Sequence, residues 1–282
     1  MAVALVTDST SNIPPELAAE RQIHIAPLYI LWGEDSYKDG VDLKEPELFQ
    51  RMRTSTTMPQ TSQVSVQDFV TIFQQAQNTE NAEAIVCAVI STDLSGTYAS
   101  AIQAAESVDI PVHVIDTRQT SWALGFSIFS GAQARDTGAS AEEIVQTIQH
   151  SAENVCLLFT VESLEYLRRG GRIGQASYLL GSALNIKPIL QLKEGVIHAV
   201  DKVRTRKRAV EHLLKLAEQY VAGRPVKRFS VIHAGVEDEA QNLLDEGVVQ
   251  FKPSESYVTY ISAVLGVHVG PGTLGVIVEW EN

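Results

Sequence analysis

Residues 82–91, Ala-Glu-Ala-Ile-Val-Cys-Ala-Val-Ile-Ser, hold the run on which the fold turns. From Ala84 to Ile90 the run is apolar at every position, on both faces of an extended chain. A strand with one wet face alternates, whereas one that is apolar on both faces must be covered by helices on each side. Other strand-like runs flank it: AVALVTD (2–8), HIAPLYILW (24–32) and PVHVIDT (111–117). Helical stretches separate them. These are PPELAAER with prolines at its opening, EPELFQRMR, the amphipathic VQDFVTIFQQAQ, the segment from Ser95 to Ala105, and a long small-residue helix over about 120–136. GEDSYKDG, after the second strand, reads as a small hairpin, and Ser140-Ala141-Glu142-Glu143 as the capping box of a further helix. Strands alternating with helices predict a parallel, doubly wound α/β unit.

Beyond about residue 155 the pattern changes. VCLLFTV predicts a strand, ESLEYLRRGGRI and ASYLLGSALN helical pieces, and IKPILQLKEGVIHAVDKV a hairpin turning at Glu194-Gly195. TRKRAVEHLLKLAEQYVAG and EDEAQNLLDEG read as helices; RFSVIHAG, SYVTYIS and GTLGVIVEW read as strands. A hairpin mixed with helical crossovers predicts a second α+β domain with a mixed sheet, so residues 1–155 and 156–282 are expected to form two domains. No linker rich in Pro, Gly or Ser parts them. The domains are therefore expected to pack closely around a cleft, the usual place for a ligand.

Composition narrows the function. The 282 residues are 45% apolar and 20% charged, an ordinary globular balance that excludes disordered and collagenous classes. Such a chain buries roughly three quarters of its unfolded surface and needs neither disulfides nor a structural metal. A net charge of −12 opposes binding to nucleic-acid backbones. The start, MAVALVTDST, has no basic n-region, and no stretch nears the roughly 18 apolar residues of a spanning helix. No membrane insertion is expected. Cys87 and Cys156 sit in hydrophobic runs and read as buried thiols of a cytoplasmic protein. Seven scattered histidines lack metal-ligand spacing. Gly270-Pro271-Gly272-Thr273-Leu274-Gly275 fits G-x-G-x-x-G, but a strand follows it and no acidic residue stands about twenty positions on. Neither a metal nor a cofactor is expected.

Three hydroxyl-rich loops remain: Thr7-Asp8-Ser9-Thr10-Ser11, Pro59-Gln60-Thr61-Ser62-Gln63 between two helices, and Asp93-Leu94-Ser95-Gly96-Thr97-Tyr98. Each can be read as helix capping. Ser95-Gly96 also lets backbone and hydroxyl approach a ligand at a helix start. Without a lysine among them, these groups suit a single carboxylate better than a triphosphate. His268 sits in a glycine-bounded turn, residues 266–272. Arg168, Arg169 and Arg172 fall in LRRGGRIG. Lys202, Arg204, Arg206, Lys207 and Arg208 crowd a strand end and the first turn of a helix, where cations oppose the helix dipole at about a few tenths of a kcal/mol each. That cost suggests use, as a dock for an anionic partner surface or a phosphate.

At these residues the chain resembles the DegV family of bacterial fatty-acid-binding proteins. The matching pieces are TDSTS (7–11), TSQ (61–63), LSGTY (94–98), LRRGGRI (167–173), KVRTRKRA (202–209) and HVGPG (268–272), in the family's order over the whole chain. The resemblance implies an N-terminal three-layer parallel α/β domain, a C-terminal two-layer α/β domain with a mixed sheet, and a long-chain fatty acid such as palmitate, stearate or oleate in the cleft. It implies a partner, a fatty acid kinase that phosphorylates the bound acid to an acyl phosphate for phospholipid synthesis. Thr61 and Ser95, with Ser62 and Gly96 beside them, then map to the carboxylate site and His268 to its neighbourhood. Arg172 maps to the arginine that follows the double glycine and Arg204 to the kinase-facing strand; Arg172 and His268 are expected to help offset charge during phosphoryl transfer. The chain departs from the family's TTSQPS at Gln60 and Val64. Sequestering a sixteen-carbon tail gains about 12 kcal/mol before association costs. Two other readings compete: an enzyme acting on a small anionic substrate in the cleft, and an interaction protein whose basic patch is its whole function.

Overall fold

The computed structural model describes residues 2–181 and 186–281. Strand β1 (Val3–Asp8) is buried throughout and runs into a 3-10 turn at Ser9–Ser11, which Asp8 caps. Helix α1 (Pro15–Glu20) leads to β2 (Ile23–Ala26), parallel to β1. A hairpin of β3 (Tyr29–Trp32) and β4 (Asp35–Lys38) follows, then α2 (Glu45–Thr54) and β5 (Gln60–Ser62). Next come α3 (Val66–Glu80), β6 (Ala84–Val89), α4 (Thr97–Ala105), β7 (Val112–Asp116), α5 (Ser121–Asp136) and α6 (Ala141–Glu153).

Strands β2-β1-β6-β7, in that order, make a four-stranded parallel sheet. Every residue of β6 is buried, as a doubly covered strand requires. The α3–α4 and α5–α6 pairs cover its two faces. Ser140 and Glu143 make the reciprocal capping box at the start of α6.

The second half runs through β8 (Val155–Thr160), α7 (Glu165–Arg169), a 3-10 turn at Gly174–Leu179, and the hairpin of β9 (Lys187–Lys193) and β10 (Val196–Val203). It continues with α8 (Arg206–Val221), β11 (Val226–His233), α9 (Glu237–Phe251), β12 (Glu255–Tyr260), α10 (Ala263–Val269) and β13 (Leu274–Trp280). The strands form a six-stranded mixed sheet, ordered β10-β9-β8-β13-β11-β12, in which β11 and β12 alone are a parallel pair among the described residues. Helices α8 and α9 pack on it. The fold is thus α/β, a three-layer unit with a parallel sheet joined to a two-layer unit with a mixed sheet.

Helix α5 joins them. It contacts the parallel sheet through β1 and β6 and the mixed sheet through β8 and β13. Every residue from Ser121 to Ala132 is buried. A helix between two sheets has no wet face, so its sequence, SWALGFSIFSGAQARD, lacks a polar stripe until its last turn. Where α5 meets the mixed sheet, Arg228 is fully buried and donates to Glu279 (2.7 Å), Ser130 Oγ (2.9 Å) and Glu255 (3.2 Å). Trp122 stacks on Tyr257 at 4.5 Å between centroids.

Four expectations need correction or bounding. HIAPLYILW is two strands, because Pro27 supplies no N–H to a ladder; β2 stays in the parallel sheet and β3 joins β4 and β5 in a separate antiparallel sheet. Residues 60–62, expected as loop, form β5, with Thr61 opposite Ile30. Residues 266–269, expected within a turn, end α10, and the turn begins at Gly270 with φ 77°. Of the helical piece ASYLLGSALN, residues 182–185 lie outside the described residues, and residues 176–179 belong to the 3-10 turn. Among the described residues no helix is long and apolar enough to cross a membrane.

Candidate functional site

Three loops leave the C-terminal edge of the parallel sheet: Ser9–Ser11 after β1, the segment 90–96 after β6, and 117–120 after β7. Ligands of open α/β sheets gather at that edge. Facing it are β8, β9, β10 and α10. Between the two lies a cavity of about 210 Å³. Much of its lining is aliphatic and aromatic, with Leu157, Phe159, Leu192, Ile197, Ile232 and Ile261 among it.

Polar groups converge on one part of this lining. Pairing of β5 with β3 sets Thr61 there, and α10 sets His268 against it: Thr61 Oγ1 and His268 Nε2 are 2.7 Å apart. Gly170 makes room for the ring, since a Cβ at Gly170 would lie 2.1 Å from His268 Nδ1. Ser95 Oγ sits 2.9 Å from Thr97 Oγ1 and accepts from the Thr97 N–H at 3.3 Å, at the opening of α4. Gly96 is bare for a similar reason: a Cβ there would meet Gln63 Oε1 at 2.1 Å, while Gln63 Nε2 donates to Ser100 Oγ at 2.8 Å. Arg172 reaches over from the turn after α7, its Nε donating to the Leu94 carbonyl (3.0 Å) and its Nη1 to the Gly170 carbonyl (2.6 Å).

Electrostatics set the role of the histidine. Burial, and secondarily the Arg172 charge, push His268 down to about 4, so the ring is neutral near pH 7. It offers a hydrogen bond and no charge. Arg172 is the cation of the site. A neutral ring whose Nε2–H donates to Thr61 Oγ1 would leave the Thr61 hydroxyl proton free to point at a ligand oxygen.

The residues expected from sequence therefore divide. Thr61, Ser62, Ser95, Gly96, Arg172 and His268 all line the one cavity. Arg204 does not; it is exposed just past β10, near exposed Lys202, Lys207 and Arg208. Arg206 turns inward instead, donating to Glu239 (2.8 Å) and the Gly272 carbonyl (2.6 Å). Arg168 and Arg169 are bonded to Glu165, whose carboxyl they hold at about 2. Of TDSTS, only Thr10 reaches the lining, while Asp8 caps the turn. Two further residues were not singled out as site residues from the sequence. Gln63 was visible as the third residue of TSQ. Asn12 had no signal: in a left-handed conformation at φ 63°, it accepts from the Ser262 N–H (2.9 Å) and donates to Thr259 Oγ1 (3.3 Å), tying the two sheets' loops together.

Comparison with known proteins agrees with this architecture. The family described as "Uncharacterised protein, DegV family" matches residues 2–281. A solved structure from Thermus thermophilus, described by its fatty acid binding as a DegV family protein, is 34% identical with a TM-score of 0.93, covering 100% of both chains. DegV from Bacillus subtilis, described as a fatty acid binding protein, is 32% identical with a TM-score of 0.91 and covers 100% of both. A stearic-acid-binding protein from Eubacterium ventriosum is 28% identical with a TM-score of 0.91, covering 99% of this chain and 98% of its own.

Proposed function

Because the chain belongs to the DegV family, we propose that it binds a long-chain fatty acid between its two domains, residues 1–155 and 156–282, and presents it in the cytoplasm to a fatty acid kinase. The observation that carries this reading is one cavity that combines aliphatic walls with a cluster of hydroxyls, a neutral imidazole and, among the described residues, no lysine. The tail supplies most of the affinity through burial of its methylenes, at about 0.8 kcal/mol each. The carboxylate must then be hydrogen-bonded, or its burial cancels much of that gain. Thr61 and Ser95 donate to it, Ser62 and the Gly96 backbone stand beside it, and His268 orients Thr61.

Neutral donors hold a carboxylate without the tight ion pair of a lysine, which leaves its oxygen available as a nucleophile. In a complex with the kinase, that oxygen attacks the γ-phosphorus of ATP, the bond to ADP breaks, and an acyl phosphate forms. The kinase supplies ATP and metal, and Arg172 offsets the charge that develops near Leu94 and Gly170. Exposed Lys202, Arg204, Lys207 and Arg208 form the docking face. The aliphatic walls speak against a small polar anion as the occupant. Mass spectrometry of lipid extracted from the purified protein tests the reading: a co-purified long-chain acid is expected. A protein that carries none, and takes up none when offered palmitate, stearate or oleate, defeats it.

A further inference from the structure

Two buried carboxylic acids stand behind the cavity lining, bonded to residues that form it, and among the described residues neither is paired with a lysine or arginine. Asp8 accepts from the Thr10 N–H (2.9 Å), the Thr10 hydroxyl (2.6 Å) and the Ile90 N–H (2.7 Å). Asp39 accepts from the Ser9 hydroxyl (2.7 Å) and from the Val264 N–H (3.1 Å) in the first turn of α10. Ser9 Oγ in turn accepts from the Leu28 N–H at 3.1 Å. Thr10, Ile90, Leu28 and Val264 all line the cavity. Its wall hangs on these two side chains, and α10 carries the tether from Asp39 at one end and His268 at the other.

The charged and titratable neighbours of this pair are mostly acidic. Glu45 of α2 and Asp8 of β1 act on Asp39, and Cys87 of β6 faces Asp8. Lys38, adjacent in the chain, turns away to Asp68 at 3.6 Å. His268 and Arg172 stand at the polar part of the lining. A carboxylate without a cation in a low-dielectric wall is costly. Burial accordingly pushes Asp8 up to about 6 and Asp39 up to about 7. A further anion in the cavity they back makes both ionised forms costlier still.

We propose that Asp39, backed by Asp8, couples the binding of a carboxylate in this cavity to the uptake of a proton. The proposal rests on the fatty-acid reading above and adds to it. A proton from solvent joins an Asp39 carboxylate oxygen as the ligand's negative charge enters, so the charge of the cavity changes little. The tethers survive: one oxygen still accepts from Val264 N–H, and the protonated one donates to Ser9 Oγ. Asp39 is a positioning residue, acting on the ligand through α10 and through its charge. By linkage, affinity for the anion falls as pH rises through the range in which Asp39 ionises.

Calorimetric titration of the whole protein with laurate, kept below its aggregation concentration, tests this. It is run near about pH 7 in two buffers of different ionisation enthalpy, which reads proton exchange directly. Net proton uptake is expected, with affinity weakening several-fold between about pH 6.5 and about pH 8. Asp39→Asn should bind laurate with most of that uptake and pH dependence gone. Binding without proton exchange overturns the proposal, as does uptake that persists undiminished in Asp39→Asn. Should Asp39→Asn not fold, infrared difference spectra of the wild-type protein decide the matter. A protonated-carboxyl band must grow as laurate binds, and its absence overturns the proposal. Failure of laurate and palmitate alike to bind would instead defeat the fatty-acid reading itself.

Discussion

At the scale of single residues, the site is a set of hydroxyls whose worth is read by removing them. Thr61→Ala and Ser95→Ala should each weaken fatty-acid binding by about 1 kcal/mol or more, measured by calorimetric titration, because each leaves a buried carboxylate one donor short. Arg172→Ala should leave binding nearly intact but slow acyl-phosphate formation by the kinase at saturating fatty acid; unchanged turnover would remove its role in the transfer. His268 has a second signature. Its pKa is lowered in the folded state to about 4 against an ordinary 6.5, so its contribution is present above about pH 6.5 and lost as pH falls towards 4. Denaturant unfolding near pH 7 and pH 4.5 should show wild type losing about 2 kcal/mol more than His268→Gln over that interval. These residues were legible because hydroxyls, glycines and arginines cluster in short motifs. Asp39 was not, since KDGVD looks like any hairpin end and only the folded chain brings it to Val264.

At the scale of elements, legibility followed the range of the forces involved. The capping box at Ser140 is a local arrangement, and four residues suffice to announce it; Ser140→Ala should cost about 1 kcal/mol in chemical denaturation. The β9–β10 hairpin was equally plain, because Glu194 and Gly195 both take positive φ, 51° and 83°, as its turn demands. Strand β5 gave no such sign. Three residues cannot display a period of two, and Gln60–Ser62 becomes a strand only because Tyr29–Trp32 lies alongside. Helix α10 was hidden by its glycines: Gly266 lies inside the helix, where a Cβ would strike Phe49 at 2.7 Å, and Gly270 ends it. Reading Gly266 as a turn residue mistook a packing requirement for a conformational one, whereas Gly270 does turn the chain.

At the scale of the whole molecule, the sheets were foreseen but their joint was not. The uninterrupted burial of α5 follows from its being flanked by two sheets, a relation no local window contains. Arg228 belongs to the same joint. Arg228→Ala would strand Glu279 without its cation and should destabilise the protein by about 3–5 kcal/mol in equilibrium unfolding. Both halves should melt in one transition, since the hydrophobic cluster that holds β1 and β6 also holds Phe159 and Ile277.

The shared helix also limits how a guest can enter. A clam-shell gape would pull α5 off one of its two neighbours and strip water-shy surface along its whole length. Traffic through the mouth has to rely on small local excursions of the rim, and a covalent clasp between the halves, set far from the rim, should leave the rate of lipid exchange as it was.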